Sequence, residues 1–246
     1  LGPASDVAAG AEHTCALVTG GTIKCWGANF SQQLGDGTFA PSAVPVAVLG
    51  LAGQAVKVAA GTGHTCAVLA SGGVQCWGAN AYGQLGDGTT TQGASPVSVI
   101  NLPGPAIDVA AGYNSTCAVV QGGDVFCWGL ATHVDSSQAP GLVGPTGLHA
   151  VKVAHAQNRV CVLTDAAAVK CSSVGNPFVV VAGLETGVTD LAVGNGHACA
   201  LMITGAINCW GSGDVGQLGD GSNAYDQPLT ALPSSPAGVV SVAAGW

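Results

Sequence analysis

The chain has 246 residues, of which 48% are hydrophobic and only 7% charged, with 13 acids against 5 bases. A nucleic-acid partner requires a Lys/Arg stripe to displace phosphate counterions, and four lysines and one arginine scattered along the chain do not supply one. The same deficit argues against an anionic membrane surface, and no run reaches the roughly 18 apolar residues of a membrane-spanning helix, so insertion is not expected.

From the N-terminus, the first strand candidates are Val7–Ala9, Thr14–Val18, Ile23–Trp26 after a Gly-Gly turn, and Val44–Val48 after a loop. The pattern then recurs. Cysteines come in pairs ten positions apart: Cys15/Cys25, Cys66/Cys76, Cys117/Cys127, Cys161/Cys171 and Cys199/Cys209. The first cysteines are separated by 51 (15 to 66), 51 (66 to 117), 44 (117 to 161) and 38 (161 to 199) residues. Periods of this size point to a propeller or a solenoid. Four short strands per unit without helical periodicity select an all-β propeller of four-stranded blades. The unit boundaries read 6–56, 57–107, 108–151, 152–189 and 190–240, as a single propeller domain over 1–246, with 241–246 starting a further repeat. That final SVAAGW suggests a piece of a six- or seven-bladed propeller, or else a five-unit object with an extra terminal strand.

The Gly-Gly turn sets the register. If Val18 pairs with Thr22, then Leu17 meets Ile23, Ala16 meets Lys24 and Cys15 meets Cys25. Directly opposed residues of an antiparallel pair lie within disulfide reach. The equal spacing extends this to all five units, predicting five hairpin disulfides and an oxidising, extracellular or cell-surface location. Free buried thiols in a reduced protein and structural zinc are the competing readings.

The motif G-x-x-H-T-C-A-L, then G-G-x-[IV]-x-C-W-G-A-N, then G-Q-L-G-D-G-T resembles the RCC1 (regulator of chromosome condensation) repeat family. The match is specific in units one, two and five. Unit three keeps Cys127-Trp128-Gly129 but lacks GQLGDG, and unit four has Cys171-Ser172-Ser173 in place of C-W-G. The resemblance covers the whole chain and implies a β-propeller, usually of seven blades, that binds proteins. Guanine-nucleotide exchange is implied by the founding member, and enzyme inhibition by a secreted bacterial member. Paired cysteines set this chain apart from the chromatin-associated members and suit a bacterial-type, disulfide-containing one.

Several repeat-equivalent residues invite functional readings. The Gly-Asp-Gly turns at Asp36, Asp87 and Asp220 offer one acid each, too few for calcium, and read as tight turns. His13, His64 and His197 share a position with Ser115 and Arg159, and read as structural, bonded to neighbouring backbone. Trp26, Trp77, Trp128 and Trp210 follow a cysteine and read as packing between blades with the indole N–H bonded. Asn29-Phe-Ser and Asn114-Ser-Thr are glycosylation sequons. The irregular stretch from Leu130 to Leu148, with His133, Asp135 and the adjacent His149, is a second candidate loop.

The positions that vary at a fixed place are more informative. After each V-A-A-G-type segment come Ala11-Glu12, Thr62-Gly63, Tyr113-Asn114, Gln157-Asn158 and Asn195-Gly196, with Trp246 starting a sixth. Propeller geometry gathers such loops on one face. Glu12, Thr62, Tyr113, Asn114, Gln157, Asn158, Arg159, Asn195 and Trp246 form the candidate partner-binding set. No nucleophile motif, phosphate loop or paired carboxylates appear, so no catalytic residue, metal or cofactor is assigned. The expected role is a rigid protein-binding module, with self-assembly into a surface structure and enzyme regulation as alternatives.

Overall fold

The computed structural model describes residues 2–130, 137–156, 159–173, 176–233 and 238–245. Its strands form five four-stranded antiparallel sheets, each a blade of a β-propeller. Blade 1 holds β1 (Ala4–Ala9), β2 (His13–Val18), β3 (Thr22–Gly27) and β4 (Ser42–Ala47). Blade 2 holds β5 (Ala55–Ala60), β6 (His64–Leu69), β7 (Val74–Gly78) and β8 (Gly93–Ser98). Blade 3 holds β9 (Ala106–Ala111), β10 (Ser115–Val120), β11 (Val125–Gly129) and β12 (Ser137–Leu142). Blade 4 holds β13 (Ala150–Ala156), β14 (Arg159–Thr164), β15 (Val169–Ser173) and a two-residue β16 (Val179–Val180). Blade 5 holds β17 (Val188–Val193), β18 (His197–Met202), β19 (Ile207–Gly211) and β20 (Gln227–Ala231).

The middle hairpin of each blade has the register read from the sequence, with Val18 opposite Thr22 and Cys15 opposite Cys25 in blade 1, and Cys199 opposite Cys209 in blade 5. In the three-residue loop 19–21 between Val18 and Thr22, Gly20 and Gly21 take φ of 95° and 76°, which glycine reaches without steric cost. All ten cysteines are bridged as expected: Cys15–Cys25, Cys66–Cys76, Cys117–Cys127, Cys161–Cys171 and Cys199–Cys209. Their Cα atoms are 4.1 Å apart in every bridge. That spacing belongs to the close, non-hydrogen-bonded type of opposed pair.

The sequence treats the five bridges alike, but their surroundings differ. The first three are fully buried, whereas Cys171 and Cys199 are partly exposed. Cys209 is itself buried, yet with Cys199 it borders an open groove beside blade 5 rather than the closed interface that covers the equivalent Cys25 and Cys76. Among the described residues only the segment 238–245 lies against that side of blade 5, where a full sheet covers the equivalent side of blades 1 and 2.

The apolar core is divided among the blade interfaces. One buried cluster joins Cys15, Leu17, Ile23 and Leu34 of blade 1 to Val58 and Trp77 of blade 2. The same arrangement joins blade 2 to blade 3 through Trp128, and blade 4 to blade 5 through Trp210. The indole N–H of Trp77 donates to the Gln33 carbonyl at 2.9 Å, and that of Trp128 to the Gln84 carbonyl at 2.9 Å. Each carbonyl also receives a threonine hydroxyl from the next blade, Thr65 at 2.9 Å and Thr116 at 2.8 Å. Gly35 and Gly86 make room for the indoles, since a Cβ there would lie 2.7 and 2.6 Å from the tryptophan nitrogen.

The irregular units are complementary. Unit three lacks the G-Q-L-G-D-G segment that supplies the carbonyl, and unit four lacks the Thr and Trp that would use it, having Val160 and Ser172 instead. Phe178 packs against the blade 3–blade 4 cluster, over Gly144.

Histidine forms a second link. His13 Nε2 lies 2.8 Å from the Thr65 hydroxyl and His64 Nε2 lies 2.9 Å from that of Thr116. The partner is a side-chain hydroxyl of the next blade rather than neighbouring backbone. Between blades 3 and 4, Ser115 takes the histidine position and meets His155 Nε2 at 2.6 Å. Burial lowers the His13 pKa from its ordinary 6.5 to about 4. Burial, then the fields of His13 and His155, lower that of His64 to about 3.

Near the start of each inner strand the pairing register slips by one residue, as between Ala4 and Asp6 and between Ala106 and Asp108. The residue after the slip reads Asp6, Lys57, Asp108, Lys152, Asp190 across the five blades. Asp6 accepts the Val58 N–H of the next blade at 3.3 Å, and Asp108 accepts that of Val153 at 2.8 Å. Lys57 lies 4.0 Å from Asp108, and Lys152 is paired with Asp190. Residues 238–245 run beside β17 without being assigned as a strand, with the Val242 N–H bonded to Asp190 at 2.9 Å.

Replacing one bridge, Cys66→Ser with Cys76→Ser, is expected to lower stability by up to about 3 kcal/mol, read from the thermal midpoint under non-reducing conditions. Stability should also fall on acidification. The unfolded histidines take up protons near pH 6.5 while His13 and His64 resist until about 4 and about 3. Their contribution is complete above pH 6.5 and is lost below it, at up to about 1.4 kcal/mol per pH unit for each histidine. In denaturant titrations between pH 7 and 4, His64→Gln should flatten this slope; an unchanged slope would remove the histidines from the account.

Candidate partner-binding face

The loops that follow the inner strands are held by backbone. In blades 1, 2, 3 and 5 the inner strand is followed by a glycine, where blade 4 has Ala156; a Cβ on Gly10 would lie 2.4 Å from the Gly61 carbonyl, and one on Gly61 equally close to that of Gly112. The Thr62 N–H donates to the Gly112 carbonyl and that of Asn195 to the Gly245 carbonyl, both at 3.3 Å. One residue on, the carbonyls of Glu12, Gly63, Asn114 and Gly196 each accept an N–H from the residue after the C-W-G strand, at 2.8–2.9 Å. With the main chain so fixed, side chains at these positions vary without cost to the ring. Ala9, Ala60, Ala111, His155, Val193 and Ala244 line one narrow cavity of about 70 Å³, which marks the central channel.

Of the sequence-predicted set, Glu12, Tyr113 and Asn195 are exposed, and Thr62, Asn114 and Arg159 are half-buried. Gln157, Asn158 and Trp246 lie outside the described residues. The Thr62 hydroxyl is buried without a hydrogen-bond partner among the described residues. Arg159 and Asn195 are brought together in a cleft of about 640 Å³ that also involves His197, Asp214, Gln217 and Tyr225. Hydrogen bonds from Gln217 and Ser212 hold the Asp214 carboxyl below the usual carboxylate range. Arg159 Nη1 is buried and, among the described residues, unpartnered. Such a cleft suits a polar peptide surface carrying both an acceptor for Arg159 and a donor for Asp214.

The other candidates fall away from this face or into structural roles. The ten cysteines are staples, and Cys209, although it borders the groove beside blade 5, is bridged to Cys199 and offers no free thiol there. Asp36 accepts both the N–H and the hydroxyl of Thr38, and Asp87 does the same with Thr89, so these carboxylates close turns. Asn29 is fully buried, and its amide donates to Asp36 and to the Thr38 and Ala40 carbonyls. In the folded protein it cannot carry a glycan. His149 is exposed, 3.8 Å from the Asp165 carboxylate, whereas His133 and Asp135 lie outside the described residues. Among the described residues no cluster of three or more His, Cys, Asp or Glu side chains is placed to hold a metal ion.

Two sets of residues escape a reading of single units. One is the Asp/Lys alternation before each V-A-A-G; the other is the pairing of each G-Q-L-G segment with the Thr and Trp of the following unit. Both are visible only when consecutive units are compared.

Two models of the regulator of chromosome condensation (RCC1) repeat match the chain. One covers residues 21–68 and 71–119, and the other residues 4–33, 55–84, 106–133 and 188–217. The ultraviolet-B receptor UVR8 of Arabidopsis thaliana is 29% identical over 245 residues, covering 98% of this chain and 49% of the receptor. The chain thus spans about half the length of that relative. Human WBSCR16 superimposes with a TM-score of 0.83 at 22% identity, covering 97% of this chain and 69% of the other. Prp20p of Saccharomyces cerevisiae, studied for binding to Gsp1p and histones, gives a TM-score of 0.79 at 18% identity over 94% of this chain and 63% of its own. The repeat matches and the blade architecture agree: the chain belongs to the RCC1 repeat family.

Proposed function

We propose that the protein is an exported or surface-exposed interaction module that grips a protein partner through the loop face bearing Glu12, Thr62, Tyr113, Asn114, Arg159 and Asn195. The observation that carries this reading is the contrast within each loop. Backbone hydrogen bonds repeat in blades 1, 2, 3 and 5, while the first loop position reads Ala11, Thr62, Tyr113, Gln157 and Asn195, a different residue in every unit. A fixed ring presenting non-repeating side chains loses little conformational entropy on binding. Tyr113 and Arg159 are of the types that dominate binding energy at protein interfaces.

The oxidising location rests on the five bridges, which use every cysteine in the chain. Protein binding by a relative, as studied for Prp20p with Gsp1p and histones, supports the class of partner and leaves its identity to experiment. The acidic balance of 13 acids to 5 bases favours a partner without a strongly acidic surface.

Photo-crosslinking from Tyr113 and Asn195, compared with Gln121 at the opposite end of the Tyr113 blade, tests the face. The expected result is one protein captured from both loop positions and not from Gln121. Tyr113→Ala with Arg159→Ala should then weaken binding of that protein at least about 10-fold. Equal capture from Gln121 would reject the loop face, and free thiols in alkylated protein from the native source would reject the oxidising location.

A further inference from the structure

At the blade 4–blade 5 junction the two halves of the interface do not match. Between blades 3 and 4 the G-Q-L-G-D-G loop and the Thr and Trp that use it are lost together. Between blades 4 and 5 the loop is lost but Trp210 is kept, with Ala198 in the threonine position. Blade 4 joins β15 to β16 through five residues, 174–178, where blades 1 and 2 use fourteen, 28–41 and 79–92. The described part of that short connection, 176–178, turns towards blade 3: the Ser172 hydroxyl donates to the Asn176 carbonyl at 2.6 Å, and Phe178 packs over Gly144.

In blades 1 and 2 the long loop lies over the end of the following blade. A Cβ on Gly63 would lie 3.5 Å from the Ser31 hydroxyl and one on Gly78 would lie 3.2 Å from the Gln33 Cα, while the Gly37 N–H donates to the Ala94 carbonyl at 3.2 Å. The next loop repeats this, with Gln84 over Gly129 and Gly88 bonded to Gln138. The equivalents of Gly63 and Gly78 in blade 5 are Gly196 and Gly211. A Cβ on Gly196 would meet only Ser212 of its own blade, and the place of the loop Cα over Gly211 is taken by Arg159 Nη1, 3.2 Å from such a Cβ. The cleft of about 640 Å³ that contains Gly196, Ser212 and Arg159 is thus a loop seat that no loop covers among the described residues. Its rim at Asp214 is open for a local reason, since the equivalent Phe30 and Ala81 are exposed although a blade follows each. Arg159 is the only arginine in the chain. It is half-buried, its Nη1 has no hydrogen-bond partner, and among the described residues no carboxylate lies within ion-pair distance of it.

We propose that this seat receives a protruding loop of the protein partner, which sets an Asp or Glu side chain on the Arg159 guanidinium and a neighbouring Lys or Arg against Asp214 and Asp226. The inference rests on the partner-binding face proposed above, of which Arg159 is a part. A loop is the fitting occupant because a loop fills the same place on blades 2 and 3. The acid follows from Arg159, whose planar fork of donors matches a carboxylate and which the protein leaves without one. A partly desolvated cation without a partner is destabilising until a ligand supplies the acceptors. The base follows from Asp214 and Asp226, which line the same cleft and outnumber the arginine. They would repel a loop carrying acid alone, so the pair of charges on the partner sets specificity. Asp214 is already oriented, since its Oδ1 accepts from the Ser212 hydroxyl at 2.8 Å and from the Gln217 amide at 3.0 Å.

A phage-displayed library of disulfide-closed random heptapeptides, selected on the 246-residue chain, tests the proposal. The expected consensus is an acid beside a base, enriched on wild type and not on Arg159→Gln. A synthetic consensus peptide should lose affinity about 10-fold when its acid is replaced by the amide, and again about 10-fold on Asp214→Asn protein. A second variant, in which the protein's own loop 28–41 replaces residues 174–177, covers the seat and should abolish binding. Intact bridges by mass and an unchanged circular dichroism spectrum confirm that each variant is folded. No enriched sequence, a consensus without an acid, or binding indifferent to Arg159→Gln or to the loop graft overturns the proposal. A protein captured from Tyr113 whose binding survives the loop graft and Asp214→Asn rejects this occupant and leaves the loop face standing, whereas equal capture from Gln121 rejects the face itself.

Discussion

Two hydrogen bonds converge on one buried carbonyl, that of Gln33 or Gln84, and both donors come from the following blade. A blade of this protein is consequently not self-sufficient. Its carbonyl, its histidine and the surface under its glycine are satisfied only by its successor, and an unsatisfied buried polar group costs roughly 1–3 kcal/mol. The stapled hairpin makes each blade rigid enough to hold these groups in register. The successor relation then arranges the blades about the channel, and the ring in turn fixes the loops of the candidate face. Stability in such an array is a sum of blade terms and nearest-neighbour terms, with the neighbours contributing the buried core.

The hairpin, its disulfide and the four-stranded blade were legible in one unit, because a Gly-Gly turn and a ten-residue spacing leave a single register for the cysteines. What covers each bridge was not: Cys209 sits in the same C-W-G sequence as Cys25 and Cys76, yet among the described residues it borders a groove. The tryptophans were legible as packing residues, since a residue next to an inward cysteine must face the other way. The destination of the histidines was read less well. Backbone is the commonest partner for a buried side chain, and only the comparison of His13 with Thr65, one unit on, points to a hydroxyl instead. The candidate face was legible as a set of positions. The cleft that unites Arg159 and Asn195 was not, because its other wall comes from Asp214 and Tyr225, which belong to the loop between β19 and β20 and follow no repeat-wide rule.

The alternation of Asp6, Lys57, Asp108, Lys152 and Asp190 adds a second layer of order to the interfaces. A carboxylate in one blade bonds the backbone N–H of the next and, where lysine alternates with it, draws on that charge as well. Burial raises the Asp108 pKa, opposed by the Val153 N–H and by Lys57 and Lys152 on either side. Charge is scarce in this chain, and a large share of its lysines is committed here. The loop face is left mainly to neutral polar and aromatic groups.

The coupled loss in units three and four bears on how such a chain can change over time. The sequence that closes one interface is divided between two repeats, so the heritable module is the junction and not the repeat. A segment cut from the loop of one unit to the loop of the next carries a carbonyl together with its own donors and can be moved intact. A segment cut at the blade boundaries carries halves that match only if both new neighbours happen to have kept theirs. Duplication and exchange should therefore leave scars that straddle blades, and it is at the irregular blade 3–blade 4 junction that Phe178 packs over Gly144.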